Sequence, residues 1–424
     1  MYNHDVIVLG GGFTGVAAAI AAAREGYDTA IIESAGALGG AAVNCLVNPF
    51  MNYHMKVEKD GEKKSVSINA GIFAEIRKRL AACGALESEE SFSFDEEKLK
   101  VVLDDMCAES GVKVLFHATL CDALCRDGKI ESIGVITKAG KLEFSAKIYI
   151  DCSGDADLAF MCGFPTRLGR EEDSLCQPMT LCFRVSNIKD TEGFLRDERP
   201  RLQKLYSEAQ ASGRIKNPRE NILVFRYPAA KGVLHFNSTR IVKRNPTNPF
   251  DVSIAEAEAR KQAYELFDFI KENCDNFAEA HLIQTAASIG VRESRMIDGE
   301  YTLNEDDILS CREFTDSIAC GNYGIDIHSP DGTGTTLKGI PEGKCYHIPY
   351  RCLIPKGSRN LIVAGRTIST THVAQSAYRI IPIVCCIGEG AGVAAAAALS
   401  DGKEPRLVNI DKVHSLLDKY GAMY

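Results

Sequence analysis

Apolar residues fall into three rhythms along this chain. Short unbroken runs mark buried strands, apolar positions at helical spacing mark helices, and strict alternation marks half-exposed strands. The run Asp5-Val6-Ile7-Val8-Leu9, an alanine-rich helical stretch and Thr29-Ala30-Ile31-Ile32-Glu33 make residues 5–40 a strand–helix–strand unit. Helical patterns recur at 68–83 and 95–110, the second capped by Asp95, and Val112-Lys113-Val114-Leu115-Phe116 is a short buried strand. Three alternating segments at 119–125, 130–137 and 141–150 are joined by turns at Asp127-Gly128 and Ala139-Gly140, the mark of hairpins.

From about residue 164 the pattern changes. Charged helical stretches at 191–212 and 253–273 alternate with the strand-like runs 222–225 and 232–236. Near Cys352 the chain returns to its earlier character, with Leu361-Ile362-Val363-Ala364-Gly365 and an almost wholly apolar stretch at 380–399. No internal repeat or low-complexity segment interrupts this order. Residues 1–160 and 353–424 are therefore expected to form one discontinuous α/β domain, with 161–352 inserted between its parts.

The junction after the first strand carries chemistry. Gly10-Gly11-Gly12-Phe13-Thr14-Gly15 follows Leu9 directly, and Glu33 stands 18 residues after Gly15 at the tip of the second strand. In this Gly-x-Gly-x-x-Gly pattern Gly10 allows the tight turn, Gly12 leaves room for a pyrophosphate against bare backbone, and Gly15 lets helix and strand pack closely. The helix begins there, so its unpaired N–H groups and positive dipole end face the phosphates. Glu33 is positioned to accept hydrogen bonds from both ribose hydroxyls. Triplet, flanking elements and spaced acid together predict dinucleotide binding.

A second glycine pair follows in Ser34-Ala35-Gly36-Ala37-Leu38-Gly39-Gly40. Here the chain resembles flavoproteins of the glutathione-reductase and fumarate-reductase-like superfamily, in which this loop passes close to the flavin's diphosphate and ring. Three later segments extend the resemblance. Asp151-Cys152-Ser153-Gly154 resembles the second fingerprint, and Leu361–Gly365 with Arg366 the third, though Arg366 stands where many members have an acid. Gly388-Glu389-Gly390-Ala391-Gly392 is expected to open a helix whose N-terminus points at the flavin's pyrimidine edge.

The resemblance is closer still to a poorly characterised branch of FAD-dependent oxidoreductases and covers about residues 4–400. Its marks are Gly290-Val291-Arg292-Glu293-Ser294-Arg295, Gly299-Glu300-Tyr301-Thr302-Leu303 with Glu305-Asp306-Asp307, Gly324-Ile325-Asp326-Ile327-His328, Tyr346-His347-Ile348-Pro349-Tyr350-Arg351, Thr371-His372-Val373-Ala374 and Tyr378-Arg379. It implies a Rossmann-like FAD-binding domain, a parallel sheet plus three-stranded meander, with an inserted α+β cap domain over the flavin. The implied cofactor is non-covalent FAD. Its contacts would come from Gly10, Gly12, Gly15, Glu33, Ser34, Gly39, Gly40, Asn44, Leu120, Cys152, Ser153, Gly154, Gly365, Arg366, Gly388, Glu389 and Gly392.

Composition narrows the setting. With 45% hydrophobic and 25% charged residues the chain has an ordinary globular make-up. A net charge of −8 and no basic run of five or more give no general attraction to nucleic acid or acidic membranes. The first strand begins near residue 5, leaving no space for a signal peptide, and the sixteen cysteines are too dilute for a disulfide scaffold; free thiols in a reducing cytoplasm are expected. The stretch 380–399 is long enough to span a bilayer, yet Glu389, Pro382 and three glycines interrupt it, so a buried turn or strand feeding a core helix is expected. Relatives of this branch include iron–sulfur proteins, but no Cys-x-x-Cys occurs here, and no metal site is expected.

Flavin chemistry asks the protein for position, an acid or base, and something to polarise the substrate. His372, seven residues after Gly365 in a polar loop, is the acid–base candidate. Arg379 would clamp a carboxylate or stabilise negative charge on reduced flavin, or else serve as a structural ion pair. Arg292 and Arg295 would share one face if their segment is helical, gripping an anionic substrate or tying cap to FAD domain. His328 is a further candidate, and His347 with Tyr346 a weaker one. Asn44 and Cys45 should lie near the flavin ring; with no histidine before His54 in this region a covalent histidyl link is not expected, leaving Cys45 as the conceivable one.

The expectation is an FAD-dependent oxidoreductase moving a hydride between flavin and a small polar organic substrate, by alcohol or amine oxidation or by reduction of an activated C=C. A fumarate-reductase-like enoate reduction is one variant. The alternative is a flavin-binding electron-transfer or structural subunit without substrate chemistry of its own. The 190-residue insertion favours the first, because a cap encloses a pocket. The electron donor or acceptor and the oligomeric state stay open.

Overall fold

The computed structural model describes residues 1–59, 61–88 and 90–424. Its central sheet has seven strands, in the order Lys113–Leu115, Thr29–Ile32, Tyr2–Leu9, Gly140–Asp151, Lys129–Thr137 and Thr119–Arg126, with Leu361–Val363 also paired to Gly140–Asp151. Val6, Ile7, Val8 and Leu9 are all buried, as a parallel strand covered on both faces requires. The 12-residue strand Gly140–Asp151 is shared between two arrangements. Its first half pairs antiparallel with the meander, while its last three residues pair parallel with Leu361–Val363. The meander thus grows out of the parallel sheet without a break.

The helix Phe13–Arg24 crosses from the first strand to the second. The helix Glu96–Glu109 starts at Asp95, whose Oδ1 accepts from the Glu97 and Lys98 amides. The whole of 381–401 is one helix, Ile381–Asp401. It is long and apolar enough to cross a membrane, but 89% of its most apolar window is buried inside the protein, the state of a core helix.

The cap has its own core. A four-stranded antiparallel sheet (Val224–Arg226, Leu234–Phe236, Phe183–Ser186, His281–Thr285) shares a core with the helices Arg199–Ala211 and Pro249–Asn273, the strand residues Phe183 and Phe236 joining Phe194 and Phe277 of two helical turns. Three features depart from the sequence reading. Leu303, Ile318, Ala319, Tyr346 and Ile348 belong to the same apolar cluster as the first helix, so about fifty residues assigned to the cap pack with the nucleotide-binding core instead. Residues 290–295 are not helical: Arg295–Ile297 is a strand paired with Thr166–Leu168, and Arg292 lies in the preceding loop. An unforeseen hairpin joins His54–Lys59 to Glu62–Ser67; its second strand is largely exposed and carries Val66 as its one apolar residue, too little to read as an alternation.

Candidate functional site

A cavity of about 790 Å³ opens at the carboxyl ends of the parallel strands, where α/β sheets bind ligands. One part is the glycine cradle. Gly12 is the N-cap of Phe13–Arg24 and supplies no side-chain cap, so the helix's first amides are left for a ligand. Gly40, at φ 51°, approaches so closely that a Cβ there would stand 2.8 Å from the Gly12 Cα; a Cβ at Gly15 would stand 1.8 Å from the Gly10 carbonyl oxygen. Bare backbone on both sides of a helix N-terminus fits a pyrophosphate.

Glu33 is buried beside the cradle. Its carboxylate accepts from the Gly11 amide at 2.5 Å and the Ala35 amide at 2.7 Å, which fixes its orientation and leaves further lone pairs for ribose hydroxyls. Glu33→Ala is expected to weaken dinucleotide retention by about 1–3 kcal/mol, read as cofactor lost on gel filtration. Full occupancy in that variant would remove Glu33 from the ribose. Ser34, Gly39, Leu120, Cys152, Ser153, Gly154, Gly365 and Arg366 also line the cavity, and Arg366 is paired with Asp155 at 3.0 Å. The residues present fit a flavin dinucleotide.

Besides Gly15, which packs against the Gly10 carbonyl and does not line the cavity, four expected cofactor contacts lie elsewhere. Gly388, Glu389 and Gly392 sit in the middle of Ile381–Asp401, not at its start, and none lines the cavity. A Cβ at Gly388 would come within 2.1 Å of the Thr14 carbonyl oxygen, and one at Gly392 within 2.1 Å of that of Ala18. These glycines let two helices touch. Glu389 Oε2 accepts from the Ile72 amide at 2.9 Å, and burial pushes its carboxyl up to about 7. The residues that the start of this helix does give to the cavity are Ile380, Ile381 and Val384. The fourth, Asn44, lies outside the lining; its carbonyl accepts from the Ser288 amide. Cys45 likewise faces Ser288 and Ile289, and burial raises its thiol pKa.

The catalytic candidates separate in the same way. His372 is the first residue of the short helix His372–Tyr378 and does not line the cavity. Its Nδ1 lies 2.7 Å from Oε1 of the fully buried Glu293, whose Oε2 accepts from the Gln177 amide. This is an internal tie between segments, and it holds His372 outside the cavity lining, away from any acid–base role there. Arg295 pairs with Asp157 at 3.0 Å and lies over the Phe160 ring. His347 contacts Ser317, and the buried Tyr346 donates to the Ala377 carbonyl.

Arg292 and Arg379 do line the cavity, with His328. The sequence reading missed Arg219, Asn221, Asn237, Tyr323 and Thr335, which join them; Asp326 was quoted in a motif but given no role. Arg292 donates to the Pro178 carbonyl at 2.6 Å and to the Thr180 hydroxyl. Arg379 donates to Gln177 and to the Asp326 carbonyl, both at 3.3 Å. Burial first, then the guanidiniums of Arg379, Arg219 and Arg240, holds Arg292 well below the usual arginine range.

Arginine has no acceptor, so Arg240 Nη2 donates to His328 Nδ1 at 3.0 Å and the ring proton resides on Nε2, 3.7 Å from Asp326 Oδ1. Burial and then the four arginines push the His328 pKa down and keep the ring neutral. Tyr323 donates to Asp326 Oδ2 at 2.7 Å. Among the described residues no group of three or more His, Cys, Asp or Glu is arranged to hold a metal ion.

The chain matches the family model described as FAD dependent oxidoreductase over residues 5–417. Among solved structures it is similar to a geranylgeranyl bacteriochlorophyll reductase-like protein from Thermoplasma acidophilum, at 14% identity and TM-score 0.50, covering 99% of this chain and 84% of that one. It is also similar to a flavin-dependent brominase, at 12% identity and TM-score 0.48, covering 99% and 83%. p-Nitrophenol 4-monooxygenase from Pseudomonas putida gives 11% identity and TM-score 0.46, covering 99% and 84%. At 14% identity the first of these likenesses is one of fold alone.

Proposed function

Because the chain belongs to the FAD-dependent oxidoreductase family and is an enzyme with FAD as its cofactor, we propose that it transfers a hydride between flavin and a small polar organic substrate held under the cap. The observation that carries this reading is that one cavity continues from the glycine cradle to a wall of polar residues, Arg219, Asn221 and Asn237 of the cap among them. A subunit that only relayed electrons would have no use for that enclosed end. Bound FAD supplies the hydride acceptor or donor, chemistry its ring carries itself.

The chain's own residues orient the substrate and move the accompanying proton. The Tyr323 hydroxyl, held by Asp326, and His328 Nε2 are two proton-bearing groups on the cavity wall beside the arginines, and they replace His372 in that role. Both directions fit this arrangement: oxidation of an alcohol or amine, and reduction of an activated C=C. In either, Arg292 and Arg379 polarise or orient the substrate.

The visible spectrum of the purified protein, before and after denaturation, tests the cofactor. Flavin bands released into the supernatant are expected. Anaerobic screening of donors and acceptors against that holoenzyme then tests the chemistry. A panel of small polar substrates that neither reduced nor reoxidised the flavin would defeat the proposal.

A further inference from the structure

Resting on the hydride-transfer reading above, we infer that the substrate is a small organic acid carrying two negative charges, held by Arg219, Arg292 and Arg379. These guanidiniums come from three separate segments and open on one cavity. Each has only neutral partners. Arg219 Nε donates to Asn221 at 2.9 Å, and its Nη1 is buried without a partner. Arg292 meets a carbonyl and a hydroxyl; Arg379 meets an amide oxygen and a carbonyl, and its Nε is buried without a partner.

Two neighbouring arginines, the buried Arg240 and the partly buried Arg366, are treated differently. Arg240 is paired with Glu220 at 3.0 Å, and Arg366 with Asp155 at 3.0 Å. Buried charges are ordinarily paired in this way, since an unpaired one is costly in low dielectric. A guanidinium keeps its proton, so an anion is what relieves the cost.

The charge count sets the valence. Of the carboxylates lining the cavity, Glu33 is bonded to the cradle's amides and Asp157 to Arg295, leaving Asp326 beside the three arginines. Three cations against one anion leave two positive charges. Planar guanidiniums match carboxylates bidentately, and Asn221, Asn237 and Thr335 add neutral hydrogen-bonding groups for the rest of the molecule. A simple cationic amine would be repelled from this wall, which narrows the oxidations proposed above to anionic substrates.

The test titrates the FAD holoenzyme at constant ionic strength with malonate, succinate and glutarate, against propionate and succinamide. Flavin absorbance and the thermal unfolding temperature are the readouts. At least one dicarboxylate is expected to perturb the flavin band and raise Tm, binding at least tenfold tighter than propionate, with no response to succinamide. Arg219→Gln and Arg292→Gln should each weaken that dicarboxylate at least tenfold with FAD content retained. Silence to all three dicarboxylates, or binding no tighter than propionate or succinamide, overturns the inference. Neutral substrates turning over with no dicarboxylate response would sink the anion assignment alone. Tight dicarboxylate binding to a flavin that no donor or acceptor touches would sink the hydride-transfer reading and leave the anion site standing.

Discussion

Replacing Gly388 by valine is expected to destabilise the protein by about 3 kcal/mol or more, whether or not FAD is bound. Valine and glycine differ little in helix propensity, so the measurement reports the contact itself. The Cβ would stand 2.1 Å from the Thr14 carbonyl oxygen, a backbone atom of a helix that is buried along most of its length. Relief requires the helices Phe13–Arg24 and Ile381–Asp401 to move apart, opening voids among the alanines between them. Thermal unfolding of the FAD-free and FAD-loaded variants checks this. Equal losses in both states identify a packing glycine. Normal stability in the FAD-free protein, with weakened FAD binding, would return the segment to the cofactor and contradict its position in the fold.

Arg379→Gln is expected to lower kcat/KM, with the best substrate from the anaerobic screen, by about 30-fold to a few thousand-fold. That range corresponds to the roughly 2–5 kcal/mol lost when one partner of a buried charge pair is truncated. The same change is expected to leave the ligand-free protein equally stable or more so. Arg379 is partly buried, with its Nε fully so, its pKa is lowered by desolvation, and its side chain donates to Gln177 and the Asp326 carbonyl. Removing a buried cation that lacks a carboxylate partner relieves strain. A structural ion pair behaves oppositely, because breaking it leaves a buried charge behind. Reduced Tm with unchanged kcat/KM would therefore assign Arg379 to the scaffold.

Both predictions turn on how far sequence rules reach. The first strand, the glycine triplet and Glu33 were legible because their geometry is local. A tight turn, a helix N-terminus and an acid on the next strand lie within about thirty residues, and backbone rules fix their relation. The meander was legible for the same reason, its hairpin turns being coded where they occur. Gly388-Glu389-Gly390-Ala391-Gly392 was misread because a glycine that admits a phosphate and one that admits another helix look the same in sequence. Only the Pro382 position, at the true start of that helix, hinted at the boundary.

The catalytic wall was harder. His372 follows the third fingerprint closely, and proximity along the chain placed it near the flavin; the short helix it begins instead carries it to Glu293. Arg219 lies in no quoted motif and more than seventy residues from Arg292, so no spacing rule joins them.

The sequence by itself determined the α/β architecture and the dinucleotide cradle, since each depends on hydrophobic periodicity or on backbone geometry over a short span, while FAD in particular was implied by the resemblance its motifs carry. The tertiary structure alone decided which arginines go unpaired and which proton-bearing groups share their cavity. Pairing and desolvation depend on what the cap and the sheet bury against each other, and that is a property of distances no local pattern records.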